Sequence, residues 1–193
     1  MRHGSGGPRR QDGLLICRTK HLHTTSLNGL PITTAERTLA DLWPRLDEKQ
    51  QQHMLRNALR LKRLTPASLT AHLKQVTGRQ RPQSLTRRLD AYAGLKLHRC
   101  RSDAEALAVT VLAKARLEQP QINHRIAGEE ADLSWPGRRF ILEIDGGTYH
   151  QDKLEDARKT AIWRAAGWTV ERVPADVVYD DAPRLIRAAR RGS

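Results

Sequence analysis

The chain has 193 residues, and 34 Lys and Arg against 21 Asp and Glu give a formal charge of +13. That length allows one sizeable domain or two small ones with a real core. Two cysteines, Cys17 and Cys100, are too few for a disulfide framework and wrongly spaced for zinc; no run has the length of a membrane span or the make-up of a signal peptide, so a cytoplasmic protein with reduced thiols and no membrane contact is expected.

Charge divides the chain. Residues 1–101 carry 20 Lys and Arg against 6 Asp and Glu, whereas residues 102–193 carry 14 against 15. A basic module that holds a polyanion beside a module that does chemistry is one reading; a solubilising charge excess is the other. The expected boundary falls at 97/98, with Gly94 to Arg101 as linker.

Residues 1–12 are rich in Gly, Pro and Arg, and Leu14–Arg18 and Leu22–Ser26 read as short strands. Thr33 with Glu36 has the capping-box spacing ahead of Ala35, Leu39, Leu42 and Trp43, which share one helical face. Asp47 opens a second helix with Met54, Leu55, Ala58 and Leu59 inward. Thr65-Pro66 opens a third with Leu69, Leu73 and Val76, and a fourth carries Leu85, Leu89 and Tyr92. From about residue 31 the basic half is therefore a small helical module.

Ser102 and Glu105 form another capping box, before a helix with Ala104, Leu107, Ala108, Val111, Leu112 and Ala115 as its buried stripe. A strand at 121–126 follows. The next two runs alternate with period two and flank the turn signal Pro136-Gly137, which predicts an antiparallel hairpin. Ala131, Leu133 and Trp135 share one face of the first run, and Glu130, Asp132 and Ser134 the other. In the second run Phe140, Leu142 and Ile144 oppose Ile141, Glu143 and Asp145. The helix expected at Asp152–Ala166 buries Leu154, Ala157, Ala161, Ile162 and Ala165, and Gly167 stops it. A strand at 168–173 and a last helix at 181–190 complete the order helix, three strands, helix, strand, helix. Trp135, Trp163 and Trp168 are expected in packed positions.

The hairpin can bring Asp132, Glu143 and Asp145 together on its polar face. Three carboxylates there repel one another unless a cation sits between them, and a divalent metal is the usual answer. Each residue also has a plainer reading. Asp132, Glu143 and Asp145 could face solvent on a half-buried sheet, and Glu105 could serve only the helix cap. His150 could be an ordinary loop residue, and Lys153 and Lys159 surface charges.

The element order, with Glu105 on the first helix, Asp132 on the second strand and Glu143 on the third, resembles the PD-(D/E)XK nuclease core. The run GRRFILEIDGGTYH, then Asp156, Arg158, Lys159 and Gly167-Trp168-Thr169-Val170, is similar to a bacterial domain related to very-short-patch-repair (Vsr) endonucleases. Earlier, NGLPITTAERTLADL at 28–42 is similar to the middle of AbiEi-like antitoxins of type IV toxin–antitoxin systems. The winged helix usual in front of that region is not expected, because the segment before Asn28 is too short for one.

The resemblance implies an α/β fold with a restriction-endonuclease-like core behind a basic helical module. It implies a Mg²⁺- or Mn²⁺-dependent endonuclease acting on DNA, with Asp132 and Glu143 as metal ligands and Glu105 near the metal. Hard oxygen ligands suit those ions. A toxin or another protein is a further expected partner.

Two departures stand out. Asp145 occupies the position of the general motif's Lys, as in the Vsr-like branch, so His150, Lys153 or Lys159 would supply the cation, His150 first by resemblance. Thr160 stands where relatives usually carry Asp, which leaves a catalytically silent DNA-binding regulator as the alternative.

Overall fold

The structure, a computed structural model, describes residues 10–11, 14–15, 22–75, 82–146 and 152–191. Within them the chain is mixed α/β, with eight α-helices and a four-stranded sheet. No helix among the described residues is long and apolar enough to cross a membrane.

Two small hairpins come first. Arg10–Gln11 (β1) pairs with Leu14–Leu15 (β2), and Thr24–Leu27 (β3) with Leu30–Thr33 (β4). The second turns on Asn28-Gly29, with φ of 52° and 80°; two consecutive left-handed residues are what a tight twisted hairpin needs, and Asn-Gly tolerates them best. Residues 16–21 lie outside the described part, so the early strands expected there are met only at these two hairpins.

Helix α1 (Ala35–Leu42) starts one residue later than the capping box predicts. Thr34 accepts from the Arg37 N–H, while the Thr33 hydroxyl pairs with that of Thr38 at 2.6 Å. Leu42 is exposed rather than inward, because a 3-10 turn at Trp43–Arg45 swings Trp43 into the core in its place. Helix α2 (Glu48–Arg60) has a complete Asp47/Gln50 box, and α3 (Pro66–Gln75) starts on Thr65-Pro66 as expected. In α4 (Gln83–Ala91) and just beyond it Leu85, Leu89 and Tyr92 are buried; Val76 lies outside the described residues.

The stretch read as a linker is packed. A 3-10 turn at Leu97–Arg99 buries Leu97, and Cys100, a free thiol, is also inside. Helix α5 (Asp103–Lys114) is then buried on more than the expected stripe, since Ala106 and Val109 are inward too. It lies between α2 and the sheet, so one apolar cluster runs from Leu55 and Leu59 through Val109 and Leu112 to Leu133 and Leu142. Arg56, nearly fully buried, joins the two sides with a two-pronged bond to Asp103 at 2.8 Å for each contact.

The sheet runs in the order Gln121–Ile126 (β5), Glu129–Trp135 (β6), Phe140–Asp145 (β7) and Thr169–Pro174 (β8). The first two pairings are antiparallel and the last is parallel, as the intervening helix α6 (Asp152–Ala165) requires. The Pro136-Gly137 turn is a 3-10 turn closed by left-handed Arg139. On one face Ile122, Leu133, Trp135, Phe140 and Leu142 pack in the main cluster with α5 and the C-terminal helices. On the other, Ile126, Ala131 and Ile141 surround Trp163 of α6.

Ala131 was expected beside Leu133. Regular alternation fails in β6, where Leu133 packs in the main cluster and Ala131 beside Trp163; opposite the residue between them, Asn123 of β5 adopts φ 49°.

Helix α6 also differs from its predicted orientation. Leu154 is 85% exposed, and Ala157, Ala161 and Ala165 are exposed with it; Trp163 is the side chain that reaches the sheet, its indole N–H donating to the Ile126 carbonyl at 3.2 Å. The apolar spacing misled because one large ring outweighs three alanines in buried area. Gly167, at φ 81°, ends the helix as predicted, and the Trp168 N–H returns to the Trp163 carbonyl. After β8 comes a short helix not predicted, α7 (Ala175–Asp180), which buries Val177 and Val178; adjacent β-branched residues disguise it. The final helix, α8 (Ala182–Ala189), is capped by Asp181.

Candidate active site

Strands β6 and β7 pair at Trp135/Phe140, Ser134/Ile141 and Leu133/Leu142, and then part. Asp132 and Glu143 are the next two residues, one on each strand. Their carboxylates occupy the gap where ladder bonds would have continued. The Asp132 N–H donates to Glu143 Oε1 at 2.8 Å, and the Ile144 N–H donates to Asp132 Oδ2 at 2.9 Å. Each acid therefore satisfies a donor of the other strand with one oxygen. Among the described residues the second oxygen of each has no hydrogen-bond partner.

Both carboxyl groups are held above their ordinary range. Burial is the largest cause at Asp132, pushed up to about 6, with the charges of Glu105 and Asp145 adding to it. Burial again leads at Glu143, pushed up to about 8, followed by the charge of Asp132. The pair keeps a proton near neutral pH because two buried like charges are costly. A cation between them would remove that cost.

Asp145, expected as the third member, is paired with a cation. Arg172 of β8 holds it at 2.7 Å and Asp156 of α6 at 3.2 Å, and also donates to the Asp156 carbonyl and the Thr160 hydroxyl. Arg172 stands beside Glu143 in the parallel register, so one guanidinium ties β7, β8 and α6 together next to the pair. Sequence reasoning missed it. The available signal was a single cation on the strand adjoining two acids.

Glu105 is taken up by the helix cap. Its Oε1 accepts from the Ser102 N–H at 3.0 Å, and its Oε2 from the Arg101 N–H at 2.9 Å and from Asn123 Nδ2 at 3.1 Å. Ser102 completes the box by accepting from the Glu105 N–H. With three donors on a buried carboxylate, the cap role is fully used. Asn123 also went unnoticed in the sequence; it lies across from Asp132, between the pairs Ile122/Leu133 and His124/Ala131.

Lys159 of α6 is half-buried and lowers the carboxyl pKa of both Asp132 and Glu143 through its charge. His150 and the side chain of Lys153 lie outside the described residues. Among the described residues no group of three or more His, Cys, Asp or Glu side chains is arranged to hold a metal ion. The donor set is two adjacent carboxylates, each with one oxygen that has no hydrogen-bond partner among the described residues. That fits Mg²⁺, which is commonly held by one or two carboxylates and otherwise by water.

No protein-family model matches the chain, and no curated protein or solved structure matches it either.

Proposed function

We propose that this chain is a metal-dependent endonuclease that hydrolyses DNA phosphodiester bonds on a restriction-endonuclease-like core. The single observation behind this reading is the Asp132–Glu143 pair, two carboxylates side by side between parting strands, with one oxygen of each unengaged among the described residues. The order α5, three antiparallel strands, a crossing helix and a parallel fourth strand supports the core assignment.

Mg²⁺ or Mn²⁺, when bound, supplies charge compensation for phosphoryl oxygens and makes water a better nucleophile near neutral pH. The free oxygens of Asp132 and Glu143 would hold it. Their other oxygens, fixed by backbone N–H groups, keep both carboxylates from swinging away. Among the described residues Lys159 is a cation whose charge reaches both acids, which makes it a candidate for the part that the motif gives to lysine, beside His150 of the 147–151 segment. Arg172 engages Asp145 and braces α6, which carries Lys159.

Relaxation of a supercoiled plasmid with Mg²⁺, Mn²⁺ or chelator tests the reading. Cutting should need the metal and vanish in Asp132→Ala and Glu143→Ala. Cutting that survives Asp132→Ala would end it.

A catalytically silent DNA-binding regulator is the second reading, favoured by the engagement of Glu105 in the cap and of Asp145 by Arg172. Thr160→Asp separates the two. Wild type inert with every metal, beside a cutting Thr160→Asp, would favour the regulator.

A further inference from the structure

We propose that the segment Lys96–Arg101 is a phosphate-gripping rim of the carboxylate site, and that Glu105 is the positioning residue that pins this rim beside Asp132. The inference rests on the nucleic-acid reading above and adds where the polyanion is held. The segment reads KLHRCR, and its apolar members point inward: Leu97 is 2% exposed and Cys100 5%. Burial of these two turns Lys96, His98, Arg99 and Arg101 outward, and all four are exposed. Among the described residues neither Lys96 nor Arg99 has a carboxylate partner. Arg101 reaches Glu130 at 2.7 Å while its side chain stays 72% exposed.

What places this basic run at the site is a set of backbone contacts. Asn123 Nδ2, across the sheet from Asp132, donates to the Arg99 carbonyl at 2.6 Å and to Glu105 Oε2 at 3.1 Å. Glu105 Oε2 also accepts the Arg101 N–H, and Arg60 Nη1 donates to the Arg101 carbonyl at 2.7 Å. Three anchors therefore fix residues 99–101, and one of them, Asn123, stands opposite Asp132 in the strand register. The charge of Glu105 is felt at Asp132, which agrees with that closeness. Exposed guanidinium and ammonium groups beside an acidic centre suit a chain of phosphates, one of which lies over the centre while its neighbours meet the cations.

The test is fluorescence-anisotropy binding of a duplex DNA oligonucleotide to the full chain over a series of salt concentrations in Ca²⁺ or chelator. Lys96→Gln/Arg99→Gln, a surface double variant, should weaken binding by about tenfold and reduce the slope of log affinity against log salt by about 2. Lys49→Gln/Arg87→Gln serves as control. Lys49 lies at the other end of α2 from Arg60, about 16 Å along the helix, and this pair should change affinity by less than about twofold.

Glu105→Gln places an amide N–H₂ against groups that already donate. It should lower the salt slope as the rim variant does, while the thermal shift given by Mg²⁺ persists. Equal losses from the rim and control pairs would overturn the rim, and would leave the nuclease reading intact wherever wild type still cuts in an Asp132-dependent way. A Glu105→Gln chain that loses its Mg²⁺ shift but keeps the wild-type salt slope would make Glu105 a ligand and overturn its positioning role. Rim-dependent binding in a wild type that never cuts would uphold this inference and sink the enzyme. Wild type that binds no DNA at low salt would sink both.

Discussion

Asp132 and Glu143 close the parting of their two strands. The backbone N–H of Asp132 donates to the Glu143 carboxylate at 2.8 Å, and the carboxylate of Asp132 accepts from Ile144, the residue after Glu143. Side chains thus replace two ladder bonds, which fixes both acids and keeps them adjacent.

Adjacency and burial make the metal-free protein sensitive to pH. The folded pKa of Glu143, about 8, lies above its unfolded value, so its stabilising contribution is fully present below about pH 4 and is lost as pH rises through 8. In chelator the melting temperature should fall from pH 5 to pH 8. Glu143→Gln, which cannot ionise, should flatten the fall and be the more stable protein at pH 8. Parallel pH curves for the two proteins would refute the coupling.

Divalent metal should reverse this. A ligand that prefers the folded state stabilises it by about 2.7 kcal/mol at a hundredfold excess over Kd. Thermal melts at pH 8 should rise with millimolar Mg²⁺ or Mn²⁺, and the rise should disappear in Glu143→Ala. An equal rise in that variant would remove the pair as the metal site.

Lys159→Gln should slow metal-dependent cleavage by about 100-fold, the order expected when a group that handles charge or a proton is lost. The metal-induced thermal shift should remain, because Lys159 is not a ligand. Unchanged cleavage would return the role to a residue of the 147–153 segment.

Arg172→Gln removes a guanidinium that is about three-quarters buried and meets Asp145, Asp156 and Thr160. Loss of these partly screened contacts should cost about 1–2 kcal/mol, read from the urea midpoint. Arg172→Lys should recover only part, since an ammonium cannot span three partners as a planar fork does. Full recovery would mean that charge alone, not geometry, joins α6 to the strands.

Arg56→Ala should destabilise the helical half by about 3 kcal/mol, because it strips from Asp103 its two-pronged partner at the seam between α2 and α5 and leaves only the Tyr179 hydroxyl and His53 beside it. Burial alone would raise the Asp103 pKa, but the bonds and charge of Arg56 hold it below the ordinary range. That contribution is present above the unfolded pKa and is lost as pH falls through the folded one. Wild type and Arg56→Ala should therefore converge in stability toward pH 2–3. A constant gap across pH would assign the loss to packing instead.

Local patterns were enough for much of this chain. Period-two alternation located β6 and β7, the strands that carry Asp132 and Glu143. Ser102 with Glu105, Thr65-Pro66 and Gly167 marked helix ends, because capping depends on residues only a few positions apart. Other features depend on what lies across space, and there the tertiary structure decided. Trp163, not the Leu154–Ala165 stripe, turned toward the sheet because the sheet offered it a hollow at Ile126, Ala131 and Ile141. Ala131 lies on the opposite face from Leu133, level with the left-handed Asn123 of the neighbouring strand, which no alternation pattern can anticipate. Arg172 engaged Asp145 because parallel pairing set β8 beside β7, a neighbour 27 residues distant in the chain. Acids can be counted in a sequence, but whether they meet a proton, a guanidinium or one another is settled by strand register and burial.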